Sequence, residues 1–528
     1  MSRGNDRSYA AIMAFQGIDG VSNETAIERI GRLIDLSHDL KREDGTTRAL
    51  EWCDALERRG MSNSEAALLA YFRANAWANR QNEKHRNPAA AWAWEQPELQ
   101  EQVLHLRRAT NQPAFEELSP LRRCQILTNL ANQLNTVGRF VEALEYWNRA
   151  LAINSRFGMA LGNRGYGLGL YARAHYDPGH QAVFLSFAHK DLTAALSSQA
   201  EYEGAGYNNA KAFFQSARTR VETAVDIAHV SKTVDLDNHK MGASEEERQY
   251  RCWCLQSCLF LNPLNDLGTH SIAGRDVLML PNYSTPTKET PTLIGFFNQM
   301  KQEFVSARWL LYEGVHAGDV HFSDRGVSLY NTLDYPSYAL AVEKVKAAYR
   351  IAYSIFDKIG FFLNDYMILG VAAKKVYFKS IWYQKYELDN RVLRSEFEQS
   401  ENWPFRGLFW LSKDLFEEDF RAVTEPDAQA LFEIRNHLEH KYLKVHETIV
   451  PQSGDAESPA LGRTDRLAYS VQRRDFEAKT LRLLRLSRAG LIYLSLGMHR
   501  EEGRRGKERG ETRVVPMSLD VWEDEWKR

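Results

Sequence analysis

Apolar side chains recur at steps of three and four along most of this chain, the period of a helix that buries one face. The clearest run is LAVEKVKAAYRIAYSIFDKIGFFLNDYM, residues 340–367, where Val342, Val345, Tyr349, Ala352, Phe356, Ile359, Leu363 and Tyr366 share one stripe. The same pattern predicts helices over FRGLFWLSKDLFEED (405–419) and FEAKTLRLLRLSRAGLIYLSLGMHREE (476–502). Between them, TEPD offers a cap and a first-turn acid, and a helix is expected from near Ala428. The polar stretch PQSGDAESPALGRTD (451–465) reads as a loop. Strand signals are sparse throughout, so the expected fold class is all-α.

The front of the chain has its own pattern. In NLANQLNTVGRFVEALEYWNRALAINS (129–155), small Ala131 and Ala143 fall where two helices would approach closely. Gly138 ends the first of them, and Leu144, Trp147 and Leu151 stripe the second. With Tyr146 and the RAL of 149–151, the stretch resembles one tetratricopeptide repeat. Asn129 and Ala131 recur as Asn163 and Gly165, a shift of 34 positions (163 − 129), which is the length of that repeat. Upstream, DGTTRALEWCDAL (44–56) and YFRANAWAN (71–79) echo it out of register. The expected organisation is a tetratricopeptide-like array over 1–204, a helical and turn-rich connector over 205–292, a second helical domain over 293–505 and a charged tail over 506–528. NYSTPTKETPT (282–292) marks the boundary before the second domain.

Composition narrows the function classes. The 528 residues are 44% hydrophobic and 26% charged, as in a globular protein of more than one domain. A formal net charge of −2 argues against bulk phosphate binding while leaving room for a local basic cleft. The N-terminal residues hold no apolar core of signal-peptide length, and GLIYLSLGM (490–498) is too short to span a bilayer, so a cytoplasmic location without membrane contact is expected. Cys252, Cys254 and Cys258 lack the paired-thiolate spacing of a zinc knuckle and read as small buried residues. No G-x4-G-K-[ST] loop is present, and neither a metal nor another cofactor is expected.

The densest chemistry lies in IRNHLEHKY (434–442), which puts Arg435, Asn436, His437, Glu439 and His440 into little more than one turn. Residues five apart on a helix are separated by about 140° around it and about 7.5 Å along it. Arg435 and His440 therefore do not share a stripe, whereas Asn436 and His440 do. Glu439, four residues after Arg435, reads as its surface ion-pair partner. Glu433, His437 and His440 could together offer a metal face, and Lys441 and Lys444 read as solvated or RNA-contacting charges.

The R-x4-H spacing, the polar residue after the Arg and the flanking long helices resemble the HEPN superfamily, many of whose members are metal-independent endoribonucleases. The resemblance covers roughly 293–505 and extends to Tyr442, since R-x4-H-x-Y occurs in HEPN toxins. It implies a bundle that dimerises and builds one cleft from two chains, with RNA as substrate. It also implies catalytic roles for Arg435 and His440, with Asn436 as helper and His437, Glu439 and Lys441 as possible support. Tyr442 reads as an amphipathic residue at a domain edge, and the resemblance adds a second reading, a regulatory modification site, because in some HEPN toxins the Tyr of this motif is nucleotidylated. A front half that binds a protein partner or antitoxin, and a role in stress or antiviral defence, are further implications. The residue types suit the chemistry. A His titrates near neutral pH and moves protons, and an Arg fork stabilises phosphorane charge without deprotonating. The competing readings are a non-catalytic RNA- or nucleotide-binding or dimerising scaffold, and a metal-dependent hydrolase using Glu433, His437 and His440.

Overall fold

Helix starts in the front half follow from local capping. Ser22, Ser119 and Asp177 each place a side-chain oxygen on the N–H three residues on, and Pro120 and Pro178 occupy first-turn positions where no N–H is needed. The computed structural model describes residues 2–84, 92–110, 114–203, 207–285, 290–330, 332–387, 390–417, 427–447, 467–509 and 517–527. Its front half runs α1 (Ser2–Met13), α2 (Asn23–Leu40), α3 (Glu43–Glu57), α4 (Asn63–Lys84), α5 (Pro97–Thr110), α6 (Pro120–Thr136), α7 (Phe140–Ile153), α8 (Gly158–Ala174) and α9 (Pro178–Leu196). Then come α10 (Asn208–Ala224), α11 (Ile227–Thr233) and α12 (Glu245–Gln256).

Neighbours in sequence pack as neighbours in space, α6 on α7 and α8 on α9. Ala131 and Ala143 are fully buried, and Gly165 lets α8 approach Leu192 and the Ala188 carbonyl of α9. Gly138 turns the chain between α6 and α7 with a left-handed φ of 88°. It has a second duty invisible in the turn itself. A Cβ at Gly138 would collide with the Trp403 carbonyl, and one at Gly407 with the Gly138 carbonyl, so two backbones touch here across the halves of the chain. Gly138→Ala is expected to lower stability by at least about 1–2 kcal/mol from the left-handed backbone alone. Gly169→Ala, in mid-helix with open space around it, is expected to raise it. Thermal midpoints check both, and a Gly138→Ala midpoint equal to wild type would contradict the contact.

The back half is a bundle of α13 (Thr292–Val315), α14 (Leu340–Tyr366), α15 (Trp403–Phe416), α16 (Asp427–His440) and α17 (Arg473–Arg509). All eight stripe positions of α14, from Val342 to Tyr366, are buried. α14 packs chiefly on α13, α16 and α17 and also meets α15 through the rings of Tyr353 with Phe416 and Tyr366 with Phe405. The fold is all-α, with two small strand pairs among the described residues. Strands β1 (Tyr383–Glu387) and β2 (Asn390–Leu393) form an antiparallel pair, and β3 (Tyr442–His446) and β4 (Ala468–Gln472) a parallel one. The polar stretch 451–465 lies outside the described residues. Among the described residues no helix is long and apolar enough to cross a membrane.

The buried apolar residues form one continuous cluster from Ala67 to Met498, with a separate smaller one from Tyr9 to Ala76. The larger cluster therefore runs through the connector region without a break. Cys254 belongs to it, and burial pushes its thiol and that of Cys258 up to about 12. Aromatic residues stitch the halves together. Phe140 lies 4.4 Å from Tyr171, 4.5 Å from Trp403 and 4.7 Å from Tyr493, and the Trp403 indole N–H donates to the Asn135 carbonyl at 2.7 Å. Beside them is a buried ionic network. Arg107 of α5 holds Asp414 of α15 through two hydrogen bonds, of 2.6 and 2.8 Å. Arg139 bonds the same carboxylate and, from its Nε, Glu142 at 2.8 Å.

Candidate functional site

Helix α16 is placed by three inward side chains. Leu431, Ile434 and Leu438 are buried, at spacings of three and four. α14 also grips the α16 backbone. The Tyr349 hydroxyl donates to the Leu431 carbonyl, and Arg350 donates to the Leu438 carbonyl at 2.8 Å. The second bond supplies a cation to the last turn of α16, where carbonyls lack helical partners and the dipole is negative.

Arg435 follows Ile434 and is carried to the edge of that inward face. Half-buried, it lays its guanidinium 4.9 Å from the centre of the Tyr353 ring. It lines a groove of about 250 Å³ with Arg350, Tyr353, Ser354 and Asp357 of α14. Burial pushes the Asp357 carboxyl up, against the pull of Arg435, and the Phe378 N–H donates to it at 3.3 Å. Two guanidinium groups and one poorly solvated carboxyl thus meet along one helix-to-helix groove.

The other residues of the motif divide around the helix. Asn436 is half-buried. His437 points away from the groove, toward β4, with its ring 5.2 Å from Tyr469. Its Nδ1 is 2.8 Å from the Glu433 carbonyl, which can only accept, so Nδ1 carries a proton and Nε2 is the atom left for chemistry. His440 is the last residue of α16, and the side chains of Glu439 and His440 lie outside the described residues. Lys441 is exposed, and Tyr442 opens β3 with 41% of its surface accessible. Among the described residues no three His, Cys, Asp or Glu side chains are grouped to hold a metal.

Lys444 corrects the expectation of a solvated or RNA-contacting charge. It is only 5% exposed and pairs with Asp334. The reason is that the segment carrying Asp334 runs along β3 and brings that carboxylate onto the Lys444 ammonium. β4 lies on one side, and on the other the Ser337 N–H donates to the Val445 carbonyl at 2.7 Å. His446, on the same strand, is buried beside the Ser470 hydroxyl, and burial pulls its pKa down.

Arg350, Tyr353 and Asp357 were not singled out from the sequence. Their signal is present as spacing. They recur at three and four residues immediately beside the apolar stripe of α14, so they form its polar border.

Residues 284–501 match the family model described as LA2681-like HEPN. This places an HEPN domain in the back half of the chain, over the helices that form the Arg435 groove. No curated protein and no solved structure matches the chain.

Proposed function

We propose that the HEPN domain is an endoribonuclease that needs no metal and cleaves RNA by attack of a 2′-OH on the adjacent phosphorus. The observation that carries this reading is the position of Arg435. Its guanidinium is held in a groove between Tyr353 and Asp357, on the helix whose last residue is His440. In the reaction the 2′-O–P bond forms and the P–O5′ bond breaks. Arg435 stabilises the extra charge on the phosphorane, and His440 moves the proton between the 2′-OH and the leaving 5′-oxygen, with Asn436 orienting it.

A second copy of α16 across a homodimer completes the cleft. Support for a partner surface next to the motif comes from Tyr335, which exposes 69% of its surface two residues before the Ser337 N–H that bonds the Val445 carbonyl of β3. The front half binds the trigger or a protein partner such as an antitoxin, and the enzyme acts in stress or antiviral defence.

The test is incubation of the full chain with labelled single-stranded RNA, with and without EDTA. The expected result is cleavage that survives EDTA and leaves 2′,3′-cyclic phosphate and 5′-OH ends. Products ending in 3′-OH would overturn 2′-OH attack. RNA binding without cleavage would favour a scaffold, and cleavage abolished by EDTA would favour the metal-dependent reading.

A further inference from the structure

A second cavity, of about 480 Å³, lies where the front half meets the HEPN domain. The end of α6 and the outer face of α8 form one wall, the first turn of α15 and Arg500 of α17 the other. Three of its lining residues are arginines, Arg173, Arg406 and Arg500, and none of the described lining residues is acidic. Its flat walls are aromatic, chiefly Trp92 and Trp403.

The parts are held in place. The Trp403 ring is fixed by its indole bond to the Asn135 carbonyl and by packing on Phe140, 4.5 Å away. Arg500 lies 5.9 Å from the Trp92 ring centre, and its Nε donates to the Glu401 carbonyl at 3.0 Å. Arg406 is only 2% exposed, and burial pulls its guanidinium down to about 10. The side-chain oxygen of Asn135, on the cavity wall, is buried with no hydrogen-bond partner among the described residues. The positive end of the α15 dipole lies at the same wall.

We propose that this junction cavity binds a nucleoside diphosphate, the base stacked on the aromatic wall and the phosphates held by Arg173, Arg406 and Arg500. Three arginines around one cavity suit a ligand of two or more negative charges. Planar walls suit any nucleobase, because every base has a π face. The volume falls in the range of about 300–1,000 Å³ typical of small-molecule sites. The site is separate from the Arg435 groove, and the proposal does not depend on RNA cleavage. A ligand here touches both halves at once, so its occupancy would report on the front half to the HEPN domain.

The test uses the full chain and follows tryptophan fluorescence and thermal midpoint with ADP, GDP, UDP and CDP, and with adenosine and pyrophosphate as partial ligands. Binding of at least one diphosphate is expected, at least about tenfold tighter than adenosine or pyrophosphate alone. The double variant Arg173→Ala/Arg500→Ala changes exposed positions and keeps the fold testable. It is expected to weaken binding at least about tenfold, whereas Arg435→Ala binds as wild type. No binding by any of the four, pyrophosphate binding as tightly as the nucleotides, or equal affinity in wild type and double variant would each overturn the proposal.

Discussion

Arg435→Ala is expected to slow RNA cleavage by about 10²–10³-fold, the usual cost of losing a group aimed at transition-state charge. His440→Ala is expected to cost about 10²–10⁴-fold, the range for a general acid–base group. Folding should hardly register the first change. Arg435 is half-buried and its clearest contact is the Tyr353 ring, a contact worth about 0.5–1 kcal/mol at such sites. Arg435→Lys keeps the charge but loses the two-pronged fork, and should recover only part of the rate. Single-turnover cleavage of labelled RNA, with the melting profile as control, separates chemistry from stability. Mixing the two alanine variants adds a sharper reading. If one cleft draws on two chains, a mixed dimer contains one cleft with an intact Arg435 and an intact His440, and activity returns on mixing. Full activity in Arg435→Ala alone would remove this residue from the chemistry and with it the main support for the nuclease reading.

Asp414→Ala is expected to produce the largest loss of stability, about 3–5 kcal/mol, because it leaves buried guanidinium groups without their shared carboxylate. Asp414 is 2% exposed between Arg107 and Arg139. Burial alone would raise its pKa, but the two arginines outweigh it and hold the carboxyl down to about 2. An unfolded aspartate titrates near 3.9. The folded value is the lower one, so this contribution is fully present above about pH 4 and is lost as pH falls through about 2. Urea unfolding at neutral pH gives the size of the effect. The gap between wild type and variant should then narrow as the pH is lowered toward 2. A loss below about 1 kcal/mol at neutral pH would show that the triad is dispensable.

What was legible in the sequence was local. The stripe of α14 could be read because a helix that buries one face must repeat its apolar residues every three or four positions. Gly138 could be read as a turn because few residues besides glycine accept a left-handed φ. The motif could be placed on a helix, and the angle between Arg435 and His440 worked out, for the same reason. What escaped was set by residues far apart. Lys444 looked solvated because nothing nearby in sequence announces that the segment carrying Asp334 runs along its strand. The parallel pairing of β3 with β4 brings together Tyr442 and Ala468, a partnership no local pattern encodes. Asp357 and Arg350 were passed over because a charge beside an apolar stripe is the ordinary border of an amphipathic helix. Only the arrival of Arg435 from another helix turns that border into a groove. The role of Gly138 against Trp403 was hidden in the same way, since a turn glycine and a cross-chain backbone contact look identical in sequence.

That backbone contact bears on how such a protein can be taken apart or can evolve. The family match, 284–501, looks like a natural place to cut. A piece bounded there would carry Asp414 without Arg107 and Arg139, and would bare the rings of Trp403 and Tyr493 where Phe140 had covered them. With no room for even one methyl group between Gly138 and Gly407, the front half cannot be exchanged like a cassette for an unrelated one. The two halves are moulded to each other, and a lineage that altered one seam residue would have to alter its opposite number as well.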